Sequence, residues 1–296
     1  MPVTYSDFSQ AIYDTEQSLL YRSYPVKGSR WQSMDISQYG KEMYMREIFN
    51  VNYQIALKNS HPLQHFQEDI QPNLPWAEDH FQERVCGLPF NPGVQWANWP
   101  YAHSANRHRN TGERFSHTYM ERMWPKAANQ RDDDELMMLK VKPDDGGHIV
   151  VPRGIRYHYG DLKDVVEHLF KDPLTRQAYL PIWFPEDTGV VHGERVPCTL
   201  GYHFLHRHGF LHCTYYIRSC DFVRHYRDDL YLTLRLMQWV LEELKEKEDT
   251  AANGKAHWNS AKLGFFCFNC VSMHCFEHDY LRLLKDAEEK KSKVNT

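Results

Sequence analysis

Apolar positions along the chain change period part-way. In the first third they recur at helical spacing, and that spacing predicts helices over residues 5–21, 36–57 and 76–86, the last ended by Gly87, Pro89 and Pro92. Residues 91–124 are rich in Trp, Tyr, His, Asn and Arg without periodicity, a composition that suits a site-lining loop. Residues 125–147 carry the acidic run Asp132, Asp133, Asp134 and Glu135, which reads as a solvated surface insertion. Asp161 is placed to cap a short helix bearing Leu162, Val165, Val166 and Leu169, stopped by Asp172 and Pro173. The pattern then turns to strands over 178–184, 199–206 and 211–218, the last two joined by a turn containing Gly209 as a hairpin. Leu230, Leu234, Met237, Leu241 and Leu244 define the buried stripe of a long helix, and Leu232, Leu236 and Trp239 widen it until protein must surround it on most sides. A strand over 264–275, a charged helix and a Lys-rich tail complete an α+β chain without a glycine-rich phosphate loop or an internal repeat.

Composition narrows the function classes. The 296 residues are 42% hydrophobic and 25% charged, enough for one sizeable core, and the formal charge of -4 offers no basic footprint for nucleic acid. No apolar run reaches the roughly 20 residues that span a bilayer, and the first residues lack the features of a secretory leader, so a cytoplasmic protein with no membrane partner is expected. Seven cysteines in a chain of this length read as reduced thiols. Cys267, Cys270, His274 and Cys275 invite a zinc reading. A lone Cys-x-x-Cys on a strand, however, points its two thiols to opposite faces, so buried apolar cysteines and no metal are expected. His203, His206, His208 and His212 crowd the hairpin with no interleaved carboxylate, and strand histidines are the plainer account. Cys198 differs: it follows Pro197 at a loop-to-strand junction near arginines, the kind of place where a thiol becomes a nucleophile.

Val196-Pro197-Cys198-Thr199, then Gly209 and Leu211-His212-Cys213, then Arg218-Ser219-Cys220-Asp221, resembles the heart of the thymidylate synthase family in residue types and order, without gaps. The resemblance implies one catalytic domain over residues 1–296, best supported over 161–280, in which a central mixed sheet packed by helices forms the interface of a homodimer with shared active sites. It also implies that Cys198 adds to C6 of a pyrimidine nucleotide, that Arg218 and Ser219 bind that nucleotide, and that Asp221 lies at the folate. Where the family carries an asparagine that reads uracil, this chain has Asp229, which resembles the deoxycytidylate hydroxymethylase branch. A carboxylate accepts from the cytosine amino group and favours a protonated N3.

Other matches are looser. Asp172-Pro173-Leu174-Thr175-Arg176 resembles the segment that reaches the partner subunit's phosphate, with Gln177 in place of a second arginine, which leaves Arg176 as the cross-subunit ligand. His274 with Phe276 resembles a sugar-binding His-x-Tyr that has lost its hydroxyl, so both dCMP and CMP stay open as substrates. Phe81-Gln82-Glu83 resembles the helix of the catalytic glutamate, with Glu78 as a rival; Tyr119 resembles a site tyrosine; Lys27 and Arg30 resemble a mobile phosphate loop. His203 stands where the family usually has glutamine. The implied reaction is hydroxymethylation at C5 with methylenetetrahydrofolate as co-substrate, water quenching an exocyclic methylene. Methylation of dCMP or dUMP is the alternative, and a non-catalytic zinc-binding protein is the rival from another class. Phage DNA modification and nucleoside biosynthesis both remain open as settings.

Overall fold

The structure, a computed structural model, describes residues 2–28, 30–31, 34–59, 61–99, 115, 117–131, 138–141, 149–152, 160–189, 196–250 and 258–294. In chain order these form β1 (Val3–Tyr5), α1 (Phe8–Arg22), β2 (Tyr24–Val26), β3 (Arg30–Trp31), β4 (Met34–Asp35), β5 (Met45–Ala56), α2 (Leu63–Ile70), α3 (Trp76–Val85) and α4 (Val94–Asn98). There follow α5 (Tyr119–Met123), α6 (Pro125–Arg131), β6 (Met138–Val141), β7 (Ile149–Pro152), α7 (Leu162–Lys171), β8 (Tyr179–Pro181), β9 (Thr199–Arg207), β10 (Phe210–Asp221), α8 (Tyr226–Thr250), β11 (Lys262–Phe276) and α9 (Glu277–Val294).

A seven-stranded mixed sheet runs in the order β1, β5, β11, β10, β9, β8, with β2 beside β5. β9 and β10 form the expected hairpin, closed by His208 and Gly209, both at positive φ as a tight two-residue turn requires. β10 and β11 are parallel, so the chain must cross over between them, and α8 is that crossover. Its Leu230, Leu234, Met237, Leu241 and Leu244 are buried, as are Leu232 and Leu236, against the inward residues Tyr202, Phe204, Tyr215, Ile217, Phe266 and Phe268 of the strands. The other sheet face presents Leu205, Tyr216, Cys267 and Asn269 partly exposed, with Phe49 and Val271 more than half exposed. Asp161 and Asp164 cap α7 reciprocally, an arrangement worth about 1 kcal/mol.

Three expectations change. Residues 36–57 are not a helix: a short 3-10 turn, Lys41–Met43, precedes the twelve-residue strand β5. Ile48, Phe49, Val51, Tyr53 and Ile55 are the β-branched and aromatic residues that strands prefer. Their in-and-out alternation slips by one at Asn50, which takes positive φ, so Ile48 and Tyr53 are both buried although they stand five positions apart, a spacing that would put them on opposite faces of a regular strand. β11 slips opposite it, where Cys270 and Met273 are buried around exposed Val271. The strand expected over 178–184 keeps only Tyr179–Pro181 before a 3-10 turn at Pro185–Gly189, since proline cannot extend a ladder. The expected loop over 91–124 contains α4 and α5. α6 opens the segment expected as a surface insertion, whose acidic run lies outside the described residues.

Candidate active site

Cys198 ends the segment entering β9 and is partly exposed. Arg218, on the neighbouring strand, ties that segment down: its backbone N–H donates to the Cys198 carbonyl at 2.9 Å, Nε to the Pro197 carbonyl at 2.9 Å and Nη2 to the Val196 carbonyl at 3.2 Å. Nη2 also lies 3.9 Å from the Cys198 sulfur, which places a positive charge beside the atom that would carry a nucleophile's negative charge. Trp183 faces the same guanidinium, its ring centroid 5.6 Å away.

Thr199 Oγ1 donates to the Tyr119 hydroxyl on α5 at 3.2 Å, and the Tyr215 hydroxyl closes the group 2.9 Å from Thr199 Oγ1. Burial raises the Tyr119 phenol to about 12, with the charges of Cys198 and Asp229 adding to the effect. Asp229 lies in the first turn of α8 and takes a contact from the Cys220 thiol at 3.6 Å. Burial pushes its carboxyl up to about 7, Arg84 pulls against that rise, Asp228 adds to it and the Cys220 contact opposes it. Cys198, Tyr119, Arg218 and Asp229 are thus drawn into one cluster by α5, β9, β10 and α8.

Ser219 and His274 meet at 3.5 Å on adjacent strands, and burial holds the His274 imidazole below its usual range. Glu47 stands opposite His274 in β5 and accepts a short hydrogen bond from Ser272. Asp221 is nearly covered and fully engaged: Oδ1 accepts from the backbone N–H groups of Val223 and Arg224, and Oδ2 from Arg224 Nη1, all at 3.0 Å. It therefore shapes the turn into α8 rather than presenting an open carboxylate.

The two carboxylates of α3 part ways. Glu78 is held by Arg235 at 3.0 and 3.1 Å and by the Tyr231 hydroxyl at 2.6 Å. Burial opposes its charge, but these bonds and one from Gln82 outweigh it and keep the carboxyl below its usual range. Glu83 is nearly covered, accepts from the Gln95 N–H at 3.3 Å at the start of α4, and faces His80 Nδ1 at 3.3 Å. Neither touches Cys198. The α3 side chain that reaches the cluster is Arg84, which sequence reasoning missed: it is 6% exposed and lies 4.2 Å over the Tyr119 ring. Its signal was available, because His80 and Arg84 share the helical face of Ala77 and Phe81, and a polar pair on an apolar stripe needs a reason.

Also missed was an aromatic wall. Trp99 stacks on His225 at 4.5 Å, with Trp96 against Trp99 at 6.2 Å and Phe115 against Trp96 at 4.8 Å. Arg176 is exposed just before β8, where its carbonyl accepts from His203 Nε2 at 2.9 Å. Lys27 is exposed, 6.0 Å from the Tyr44 ring centroid, and is not joined to the cluster; Arg30 lies in β3. Of the hairpin and β11 histidines and cysteines, His212 accepts from the Phe265 N–H, His206 packs tilted against Trp258, and Cys267 and Cys270 face opposite sides. Among the described residues no group of three or more His, Cys, Asp or Glu could hold a metal ion, and no helix is long and apolar enough to cross a membrane.

A family model described as thymidylate synthase matches residues 91–257, more than half of the chain. The chain belongs to the thymidylate synthase family. A protein of Methanosarcina barkeri (strain Fusaro / DSM 804), provisionally named a thymidylate synthase, is 29% identical over 117 residues, which are 39% of this chain. That match spans 46% of the relative, about half its length. The fold is that of the thermostable thymidylate synthase A from Bacillus subtilis, with a TM-score of 0.59 at 11% identity over 94% of this chain and 84% of that one. The thymidylate synthase match includes Tyr119, Cys198, Arg218 and Asp229; it begins after α3, so Glu83 and Arg84 are placed by the structure alone.

Proposed function

We propose that this member of the thymidylate synthase family hydroxymethylates C5 of a cytosine nucleotide, dCMP or CMP, through a covalent bond between Cys198 and C6. The observation that carries the reading is Asp229, which stands where the family has a uracil-reading asparagine and shares one cluster with Cys198, Tyr119 and Arg218. Addition of the Cys198 sulfur to C6 breaks the ring's conjugation and makes C5 a carbon nucleophile. Asp229 accepts from the cytosine amino group and shares a proton with N3, which draws electron density from C6 as sulfur attacks. Arg218 keeps the sulfur in place and offers its guanidinium to the phosphate, Ser219 and His274 hold the sugar, and Arg176 reaches the phosphate of a second copy. The exposure of Arg176 and the uncovered sheet face support a homodimer.

Glu83 is preferred to Glu78 for moving protons at the base, because Glu78 is committed to Arg235 and Tyr231. The flat wall of Trp96, Trp99 and His225 fits the planar ring of a folate, with Asp221 shaping the turn that carries His225. Methylenetetrahydrofolate, when bound, supplies a one-carbon unit at the oxidation level of formaldehyde. Water addition to the exocyclic methylene on the pyrimidine then gives the hydroxymethyl product.

Cytosine nucleotide labelled with tritium at C5 should lose its label to water in the presence of methylenetetrahydrofolate, and uracil nucleotide should lose it far more slowly. Equal release from both bases would contradict the role of Asp229. Release from neither would return the chain to a binding function.

A further inference from the structure

Arg84 is a buried cation whose guanidinium makes no ion pair with a carboxylate among the described residues. Its Nε donates to His80 Nε2 at 3.0 Å, and no hydrogen bond or ion pair joins its terminal nitrogens to another described residue. His80 is therefore fixed in one tautomer: Nε2 accepts from Arg84, so Nδ1 carries the hydrogen and donates to Glu83 at 3.3 Å. Burial drives the His80 imidazole down to about 4, and Arg84 adds to that, so at neutral pH it is an uncharged strut between Glu83 and Arg84. The guanidinium is held flat over Tyr119, 4.2 Å from the ring centroid. A buried cation held in this way favours negative charge on the carboxyls within its field.

Asp229 is the acid Arg84 acts on in this cluster. The groups around that carboxyl are Asp228 on its own helix, Arg84 from α3, Tyr119 from α5, Tyr202 from β9, Cys198 just before β9, Cys220 and Tyr215 from β10, and Cys270 from β11. Burial raises the phenols of Tyr119, Tyr202 and Tyr215 and the thiols of Cys220 and Cys270, so these stay neutral near pH 7. Asp228 is occupied by the Asn73 backbone N–H and side-chain amide, both at 2.8 Å. Among these residues Arg84 is thus the cation whose field favours the ionised form of Asp229.

Cytosine and uracil answer that field differently. With cytosine, one proton lies between Asp229 and N3, and either partner can carry it because N3 is basic. Uracil already bears hydrogen on N3 and asks the carboxyl to donate to O4, which only the neutral acid can do. We propose that Arg84 is a positioning residue that acts through Asp229: it holds the shared proton on cytosine N3 rather than on the carboxyl, which activates C6 and turns uracil away. This inference rests on the cytosine reading of Asp229 and adds the residue that tunes it.

The test compares kcat/KM for cytosine and uracil nucleotides, read by C5 tritium release, across the neutral pH range for the wild type, Arg84→Gln, Arg84→Lys and Asp229→Asn. In the wild type, kcat/KM on the cytosine nucleotide falls as pH rises through about 7, where Asp229 gives up the proton to be shared. Arg84→Gln should move that limb upward by about one pH unit or more and narrow the preference for cytosine by about tenfold, mainly through kcat, while Arg84→Lys restores both. An unmoved limb in Arg84→Gln, with Asp229→Asn still reversing the preference, overturns the role of Arg84 alone. A preference that Asp229→Asn does not disturb removes the reading beneath it. Should Arg84→Gln not fold, Asp228→Asn supplies the opposite lever: loss of a neighbouring negative charge must move the limb downward, and an unmoved limb overturns the electrostatic account.

Discussion

Replacing Cys198 by alanine is expected to reduce turnover by at least about 10⁴-fold while leaving nucleotide affinity within a few-fold of the wild type. The sulfur forms the bond that makes C5 reactive, and the thiols of Cys220 and Cys270, whose charges would act on Cys198, cannot take its place. Cys220 and Cys270 are buried with thiols raised well out of the nucleophilic range, and burial likewise raises the thiol of Cys213 in β10. Arg218 remains anchored to the Val196 and Pro197 carbonyls without the sulfur, so the phosphate contact should survive. Isothermal titration with the nucleotide separates the two effects. Retained turnover in the alanine variant would end the covalent account.

Asp229→Asn should reverse base preference. An amide cannot carry the proton that the carboxyl shares with cytosine N3, and it offers uracil both the acceptor for N3–H and the donor for O4. Discrimination by buried hydrogen bonds reaches about 10⁴ or more, so the ratio of kcat/KM values for the two bases should change by roughly that factor. The amide also removes the group whose titration near 7 shapes the pH profile, so the alkaline limb should vanish together with the preference. A changed preference with an unchanged limb would show that another group sets the profile.

The run from Cys198 to Asp229 was legible because its chemistry is local: a hairpin and the first turn of the next helix place Cys198, Arg218, Ser219 and Asp229 by short-range geometry. α3 was legible as a helix, but its role was not. Whether Glu78, Glu83 or Arg84 reaches the site depends on how α3 lies against α5 and α8, a tertiary fact that the periodicity of one helix does not contain. β5 was misread for a physical reason, since the slip at Asn50 breaks the period-two signal and leaves apolar spacings that imitate a helix. The engagement of Asp221 by the turn after β10 was equally hidden, because backbone N–H donors carry no mark in a sequence. The wall of Trp99 and His225 joins two segments far apart in the chain, and composition alone gave only a tryptophan-rich loop.

The central claim is that Cys198 and Asp229 together put a hydroxymethyl group on cytosine. The most direct measurement is product mass after incubation of dCMP, CMP and dUMP separately with methylenetetrahydrofolate. A gain of CH₂O on a cytosine nucleotide, absent with dUMP, is the predicted result and also names the sugar. A gain of CH₂, or modification of dUMP in preference to either cytosine nucleotide, would contradict it.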